Sequence, residues 1–382
     1  MEQLLHTPEG VRDIYHEECA KKLALQNRLH KTLHLYGYHD IQTPMYEYFD
    51  VFRKEIGTIP SRELYKFFDR DGNTLVLRPD ITPSIARCAA KYFGEEELPI
   101  RVCYMGNTFI NNSSYQGRLK ECTQLGAELL GDPSVDADAE MISMVISCLK
   151  AAGLKEFQLS IGHADFFRGL MEAAGLLEEQ EEELRELISN KNFFGVEEFV
   201  ETLNLEENLK NLFGMLGNLY TGSDELSAAR ECAASYPRIL KAIGDLEELH
   251  KILEVYEVSR YVSFELGTIS NYQYYTGIIF AGYTFGSGEA IVKGGRYDRL
   301  LNCFGKDSAS IGFAFVIDQL MAALQRQKID VPVERCVELM VYKSAKRQTA
   351  ITAAATARAA GRCVELMLWD ETKQRKDYED YA

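Results

Sequence analysis

"GNTFINNSSYQGRLKECTQLGAELLG", residues 106–131, decides how the chain is read. Two runs of strand-forming residues flank a polar turn, which predicts a pair of β-strands. In the second run Gln124, Gly126 and Glu128 alternate with Leu125, Ala127 and Leu129. Successive strand residues point to opposite faces, so one face is apolar and the other carries an amide and a carboxylate around a glycine. That polar face either looks at water or forms the floor of a small-molecule site. The turn before it, "NNSSYQ", holds no positive charge.

Working outward, residues 16–36 read as an amphipathic helix with Leu23, Leu25, Leu29, Leu33 and Leu35 among Lys and His. "YHDIQTP" follows as a strand start. In "LYKFFDRDGNTLVLRPD", Asp71-Gly72 sits between two apolar runs and predicts a hairpin. Residues 83–93 and 136–152 read as helices, with Pro83 suited to a helix start. "EFQLSIGH" is another strand. From 175 to 255 the chain is rich in Glu and Leu at helical spacing, with Leu177, Leu184 and Leu187 as one stripe, and no strand is expected there. This region reads as an all-helical insertion, and its acidic run at 178–183 as a solvated helix face. Strands return at "VSFELGTI", "YYTGIIFAGYTFG" and "EAIVKGG", and "SIGFAFVIDQLMAALQRQ" is a strand running into a helix. After a linker with Pro332, the tail reads strand, helix, strand, with Ser344 as N-cap and Gly361 as C-cap. One βαβ unit of about 50 residues is smaller than a usual independent domain.

The 382 residues suffice for two or three domains, and 46% apolar content suits a sizeable core. No run of about 18 apolar residues predicts a membrane span. The N-terminal "MEQLLHTPEG" has no signal-peptide pattern, and a cytoplasmic location is expected. Nine cysteines occur singly, with no C-x-x-C pair, which argues against a zinc site or a disulfide framework. A formal charge of −16 is not the electrostatic footprint of a nucleic-acid binder. There is no Walker-type loop and no G-x-G-x-x-G, and no cofactor or metal is expected.

Three further motifs each admit a bland reading. "LRPDIT" at 77–82 offers Asp80 for an ammonium group, or simply a turn closed by the Asp side chain. "SNYQYYTGIIF" at 270–280 places Tyr274 and Tyr275 to line a pocket or to pack a core. "KGGRYDR" at 293–299 reads as a double-glycine turn, open to a ligand or part of a hairpin.

Together and in order, these stretches resemble histidyl-tRNA synthetases and, more closely, the paralogues that serve as regulatory subunits of ATP phosphoribosyltransferase. The resemblance rests on "TPEGVRDI" at 7–14, "YGYHDIQTPMYE" at 36–47, "YKFFDRDGNTLVLRPDIT" at 65–82, "GRLKECTQLGAELLG" at 117–131, "YYTGIIF" at 274–280, "KGGRYDRL" at 293–300 and "IGFAFVIDQL" at 311–320. It implies an α+β fold: a class II aminoacyl-tRNA synthetase-like core over 1–325, an antiparallel sheet flanked by helices. The helical insertion at 175–255 lies within it, and 333–382 resembles a truncated anticodon-binding unit. In the synthetase pattern the positions of Asp80, Thr82, Gln124, Glu128, Tyr274 and Tyr275 surround bound histidine. A carboxylate and an amide would take its α-ammonium, Glu128 and Tyr275 its imidazole N–H groups, and Gly126 would leave room above the floor.

The pattern breaks where synthetases hold ATP with arginines. The arginine after the hairpin phenylalanine is Ile110 here, the glutamate two residues on is Asn112, and the next arginine is Ser113. The arginine ending the "GFAxGxER" stretch is Gln319, and the one opening "RGLDYY" is Ser270. Charge-assisted contacts are worth about 1.5–3 kcal/mol each, so little adenylation is expected. Ile110 and Ser270 also remove arginines near the amino-acid carboxylate. The resemblance thus implies a non-catalytic regulatory chain with histidine as effector and a degenerate site. Its implied partners are a short-form ATP phosphoribosyltransferase catalytic subunit and a second copy in a homodimer, without tRNA, DNA or membrane. The alternatives are a histidyl-tRNA synthetase or histidine-activating enzyme lacking an anticodon domain, and a stand-alone histidine-binding or scaffold protein.

Overall fold

On either side of the polar turn, Ile100–Phe109 and Glu121–Leu130 pair antiparallel, from Ile100 opposite Leu130 to Phe109 opposite Glu121. A computed structural model describes residues 5–53, 59–94, 99–112, 119–269, 274–333 and 337–382; most of the turn, at 113–118, lies outside them. In chain order the strands are β1 (His39–Asp40), β2 (Tyr46–Tyr48), β3 (Lys66–Phe68), β4 (Thr74–Leu77), β5 (Ile100–Phe109), β6 (Glu121–Leu130), β7 (Phe157–His163), β8 (Leu219–Tyr220), β9 (Val262–Glu265), β10 (Ile278–Thr284), β11 (Val292–Arg296), β12 (Ser310–Val316), β13 (Val337–Tyr342) and β14 (Cys363–Leu368). The helices are α1 (His16–Leu35), α2 (Thr82–Tyr92), α3 (Val135–Ala151), α4 (Ala164–Ala174), α5 (Glu178–Ser189), α6 (Phe193–Glu201), α7 (Glu207–Gly214), α8 (Ser227–Cys232), α9 (Pro237–Val255), α10 (Ile317–Arg326), α11 (Arg347–Ala359) and α12 (Arg375–Tyr381).

Nine strands make one sheet in the order β1-β5-β6-β12-β11-β10-β7-β9-β8. Its centre is antiparallel, while β1 joins β5 and β9 joins β7 in parallel. Leu125, Ala127 and Leu129 of β6 are fully buried with Leu25, Leu29 and Leu33 of α1 and Met141, Met144 and Val145 of α3. The i, i+4, i+8 spacing of the α1 leucines puts them on one stripe; Leu23 and Leu35 fall off it and are exposed. The opposite face of the sheet is covered by α2 and the residues before it, with Ile81 and Ile85 packed on Val102 and Tyr104. A separate three-stranded sheet, β2-β4-β3, carries the expected hairpin, whose Gly72 takes the left-handed φ of 84° that a tight turn requires. Glu47 of β2 ties it to α2 through Arg87, at 2.8 Å.

The insertion is helical except for the two-residue β8, which pairs with β9 at the sheet edge. Leu177 is not on the α5 stripe: it precedes the helix and is 72% exposed, while Leu184 and Ile188 are the buried pair. "KGGRYDR" is not a turn. Its glycines stand inside β11, where a Cβ on Gly294 would meet the Phe280 ring at 2.4 Å and one on Gly295 would meet the Tyr275 ring at 2.8 Å, so the pair accepts a ring on each face.

Residues 332–382 form a second compact unit. In it β13 and β14 pair in parallel with α11 between them in sequence. Gly361 has the expected left-handed φ of 81°, but Ser344 opens a 3₁₀ turn and α11 begins only at Arg347. The sequence reading gives no sign of α12; Tyr378 on it stacks on Trp369 with ring centroids 5.0 Å apart.

One buried ion pair ties β11 to the start of α3. Arg296 donates to Asp138 Oδ1 at 2.6 and 2.9 Å and to the carbonyls of Asp132 and Ser134 at 3.0 Å, and both side chains are 7% exposed. Removing Asp138 leaves the buried Arg296 with the longer contact to Asp298, at 3.4 Å, and the two carbonyls. Asp138→Ala is expected to cost about 3–5 kcal/mol in urea unfolding, and Asp138→Ala with Arg296→Leu is expected to recover part of that loss. Equal losses in the single and double variants would show that the charge is not what the pair holds in check.

Candidate functional site

The register across the sheet builds the site floor. Val102, Glu128, Gly312, Gly295 and Ile279 stand opposite one another on β5, β6, β12, β11 and β10. The two glycines are the low points of this row. A Cβ on Gly312 would lie 1.5 Å from Glu128 Oε2, so the carboxyl occupies the space above that glycine. The Tyr275 ring fills the space over Gly295. Gly126 is different from expectation: the Tyr104 ring and hydroxyl, within 2.7 Å of where its Cβ would be, take the room that was assigned to a ligand.

Around this floor the chain converges hydroxyls and carboxyls. Glu128 is 1% exposed. Thr82, the first residue of α2, donates to its Oε1 at 2.8 Å, and the Tyr297 hydroxyl donates to its Oε2 at 2.5 Å. Asp80 precedes α2, and its Oδ1 accepts the backbone N–H groups of Ile81 at 2.7 Å and Thr82 at 3.4 Å. A hydrogen bond from Tyr274 reaches the same carboxylate. The Tyr274 ring lies 4.8 Å from that of Tyr275 and 5.8 Å from that of Tyr297, centroid to centroid. Five of the six positions matched to histidine binding, Asp80, Thr82, Glu128, Tyr274 and Tyr275, are thus one buried cluster. Gln124 shares the β6 face but stands four residues from Glu128, about 13 Å along an extended strand. Its Oε1 is buried without a hydrogen-bond partner among the described residues.

Burial sets the protonation of the two carboxyls. Desolvation pushes Glu128 up to about 8, against the hydrogen bonds from Tyr297 and Thr82, and the charge of Asp80 pushes it the same way. Desolvation raises Asp80 to about 6, opposed by the amides at the start of α2. The hydroxyls of Tyr104 and Tyr297 are driven well above their ordinary value by burial and then by Glu128. An acidic, aromatic cluster of this kind gains most from a partner that brings positive charge and N–H donors, because such a partner lets both carboxyls ionise.

Arg78 of the "RPD" motif is structural. It donates to the carbonyls of Thr43 and Asn107 at 2.9 Å and of Pro44 at 3.3 Å, passing over Gly106, where a Cβ would meet Nη2 at 2.1 Å. Of the positions matched to ATP-binding residues, Ser113 and Ser270 lie outside the described residues. Ile110 continues the hairpin ladder with its N–H on the Lys120 carbonyl at 2.9 Å. Asn112 keeps its Oδ1 buried and unpartnered among the described residues. Gln319 is half-buried in the first turn of α10, and Asp318 before it accepts from Lys22 Nζ and the Thr123 N–H, both at 2.7 Å. Sequence reasoning missed Tyr104 and Tyr297. The signal for Tyr297 was in hand: two residues after Gly295, it follows the period-2 alternation of β11.

A carboxyl with a raised folded-state pKa holds its proton more tightly in the folded chain than in the unfolded one. The stability Glu128 contributes is therefore full below about pH 4.5 and lost as pH rises through about 8. Glu128→Gln keeps the shape and removes the titration. Its melting temperature relative to the parent chain is expected to climb between pH 6 and pH 9. A difference that does not move with pH would show that Glu128 is not protonated in the folded protein.

The histidyl-tRNA synthetase family model matches residues 10–320. A relative from Acetivibrio thermocellus, named ATP phosphoribosyltransferase regulatory subunit, is 42% identical over 95% of this chain and 86% of its own. One from Ruminiclostridium cellulolyticum with the same name is 39% identical over 98% of this chain and 89% of its own. The crystal structure of an ATP phosphoribosyltransferase regulatory subunit/histidyl-tRNA synthetase from Bacillus halodurans superposes with a TM-score of 0.87 at 32% identity, covering 99% of this chain and 96% of that one. A histidyl-tRNA synthetase from Nostoc shares the fold, with a TM-score of 0.81 at 19% identity over 99% of this chain and 89% of that one. With a class II synthetase-like fold and these relatives, the chain belongs to the ATP phosphoribosyltransferase regulatory subunits of the histidyl-tRNA synthetase family.

Proposed function

We propose that this chain is a non-catalytic partner of a short-form ATP phosphoribosyltransferase catalytic subunit, which joins ATP to phosphoribosyl pyrophosphate in the first step of histidine biosynthesis. Its synthetase-like pocket is the histidine feedback sensor. The observation that carries this reading is the buried pair Asp80 and Glu128, framed by Thr82, Tyr274, Tyr275 and Tyr297. Asp80 takes the α-ammonium, and Glu128 with Tyr275 takes the imidazole N–H groups. Gln124 joins them only from the far end of the β6 face. Ile110, Asn112 and Gln319 support the loss of ATP activation, because none of them brings a cation to a polyphosphate.

Feedback requires histidine to bind one state of the complex better than another. A coupling of about 1–3 kcal/mol is typical, and it is reciprocal. Glu128 has both oxygens engaged by hydroxyls from α2 and from the end of β11. A ligand that takes a share of that carboxyl pulls on Thr82 and Tyr297 together, which gives the pocket a mechanical handle on the helix above it. As Glu128 ionises on binding, its proton passes to the imidazole ring, whose two nitrogens then both donate.

Titration calorimetry of histidine into the purified chain, alone and mixed with a short-form catalytic subunit, tests the reading. Binding that weakens at least tenfold in Glu128→Ala is expected. Binding confined to the mixture would mean that the partner completes the site. Absence of binding in both overturns the sensor assignment. Histidine-dependent ATP–pyrophosphate exchange by the chain alone is expected to be absent, and its appearance would restore the synthetase reading.

A further inference from the structure

We propose that His30, His34, Asp40 and Cys103 form a binding site for one divalent transition-metal ion, with zinc(II) the best match to the donors. One ligand atom from each of the four residues lies within 4.8 Å of all the others. In a tetrahedral ion with N and O ligands at about 2.0–2.1 Å and S at about 2.3 Å, ligand atoms are roughly 3.3–3.6 Å apart. The cluster is already close to that spacing. His34 Nε2 is 3.2 Å from Asp40 Oδ2, Cys103 Sγ is 3.6 Å from Asp40 Oδ1, and His30 Nε2 touches Asp40 Oδ1. Small rotations of the Asp40 carboxyl and the two rings would open a centre among the four.

The fold assembles the site from three elements. His30 and His34 are four residues apart on α1, so their rings share one face, with centroids 4.3 Å apart. Asp40 is on β1, directly opposite Cys103 on β5 in the parallel register. This explains why the sequence does not advertise a metal site: the cluster uses a single cysteine and no C-x-x-C pair, and Asp40 and Cys103 meet only after β1 pairs with β5.

The donor set selects the ion. Two imidazoles and a thiolate suit zinc, cobalt or nickel, whereas calcium and magnesium take oxygen ligands. Entry is open, because the side chains of His34 and Asp40 are 44% and 60% exposed. Cys103 forms the buried base of the site. Binding releases the thiol proton. A bound ion would fasten the last turn of α1 to the β1 edge of the sheet, far along β5 from the polar turn. Hydrogen bonds alone hold the imidazoles to Asp40 equally well; the convergent thiol is what favours a metal over a shared proton.

The test uses cobalt(II) as the probe on the full-length chain after chelator treatment. One equivalent of tightly held cobalt is expected, with ligand-field absorption of a tetrahedral ion and a thiolate-to-cobalt charge-transfer band. Zinc(II) is expected to displace it and to raise the melting temperature. Cys103→Ser is expected to lose the charge-transfer band. His34→Ala changes a half-exposed side chain, retains the fold, and is expected to weaken binding at least tenfold. If Cys103→Ser does not fold, the parent spectrum and His34→Ala decide. No stoichiometric uptake, a charge-transfer band that survives in Cys103→Ser, or unchanged affinity in His34→Ala would each overturn the assignment.

Discussion

The carboxyl of Glu128 lying over the bare backbone of Gly312 is the constraint around which this molecule is organised. A carboxyl in the middle of a nine-stranded sheet is costly to bury. It is tolerated because Gly312 gives it space, Thr82 and Tyr297 give it donors, and protonation relieves its charge. Each of these conditions recruits another part of the fold. Thr82 must be the first residue of α2, which fixes where that helix starts. Tyr297 must follow β11 in extended register, which fixes how β11 lies on β12. The Tyr275 ring needs Gly295 below it, so the loop before β10 is held against the same row.

The sheet explains which parts were legible in the sequence. Alternation on β6 named both its faces, because a strand with Leu125, Ala127 and Leu129 on one side has a single way to bury them. The leucines of α1 and the Asp71-Gly72 turn were equally plain. What escaped was long-range. "KGG" carries the local signature of a turn, and only the rings of Phe280 and Tyr275, arriving from β10 and the loop before it, show why a strand needs glycines there. Gly126 likewise promised space for a ligand, but its occupant, Tyr104, sits across the β5–β6 ladder. Spacing places Leu177 on the stripe of Leu184 and Leu187, but the helix begins only after it.

The site residues were legible chiefly through the family resemblance, and their chemistry through the fold. Nothing in "RPDIT" distinguishes a helix-start carboxylate from a simple turn, and Asp80 is in fact both: it closes on the amides of Ile81 and Thr82 while facing Tyr274. Arg78, two residues before it, resolves the other way, with its guanidinium spent on carbonyls. The same local motif thus contributes one residue to the buried carboxyl–hydroxyl cluster and one to the scaffold. Asp318 shows a related replacement: at the start of α10, beside the position matched to an ATP-clamping arginine, an acidic side chain bridges α1 and β6.

The pairing of β7 with β9 has a consequence for how the chain folds. These parallel neighbours, joined at Leu159 opposite Val262, are separated in sequence by the whole helical insertion. Closing so long a loop carries an entropic cost that grows with the logarithm of its length, and parallel pairings of this reach form slowly. Helices α5 to α9 fill that interval, and their buried side chains, Leu184, Leu212 and Leu246 among them, join the same core as Leu159 and Val262. The far edge of the sheet is therefore the part of the fold whose closure asks most of the chain's entropy, and it stays closed only while the insertion is ordered between its two strands.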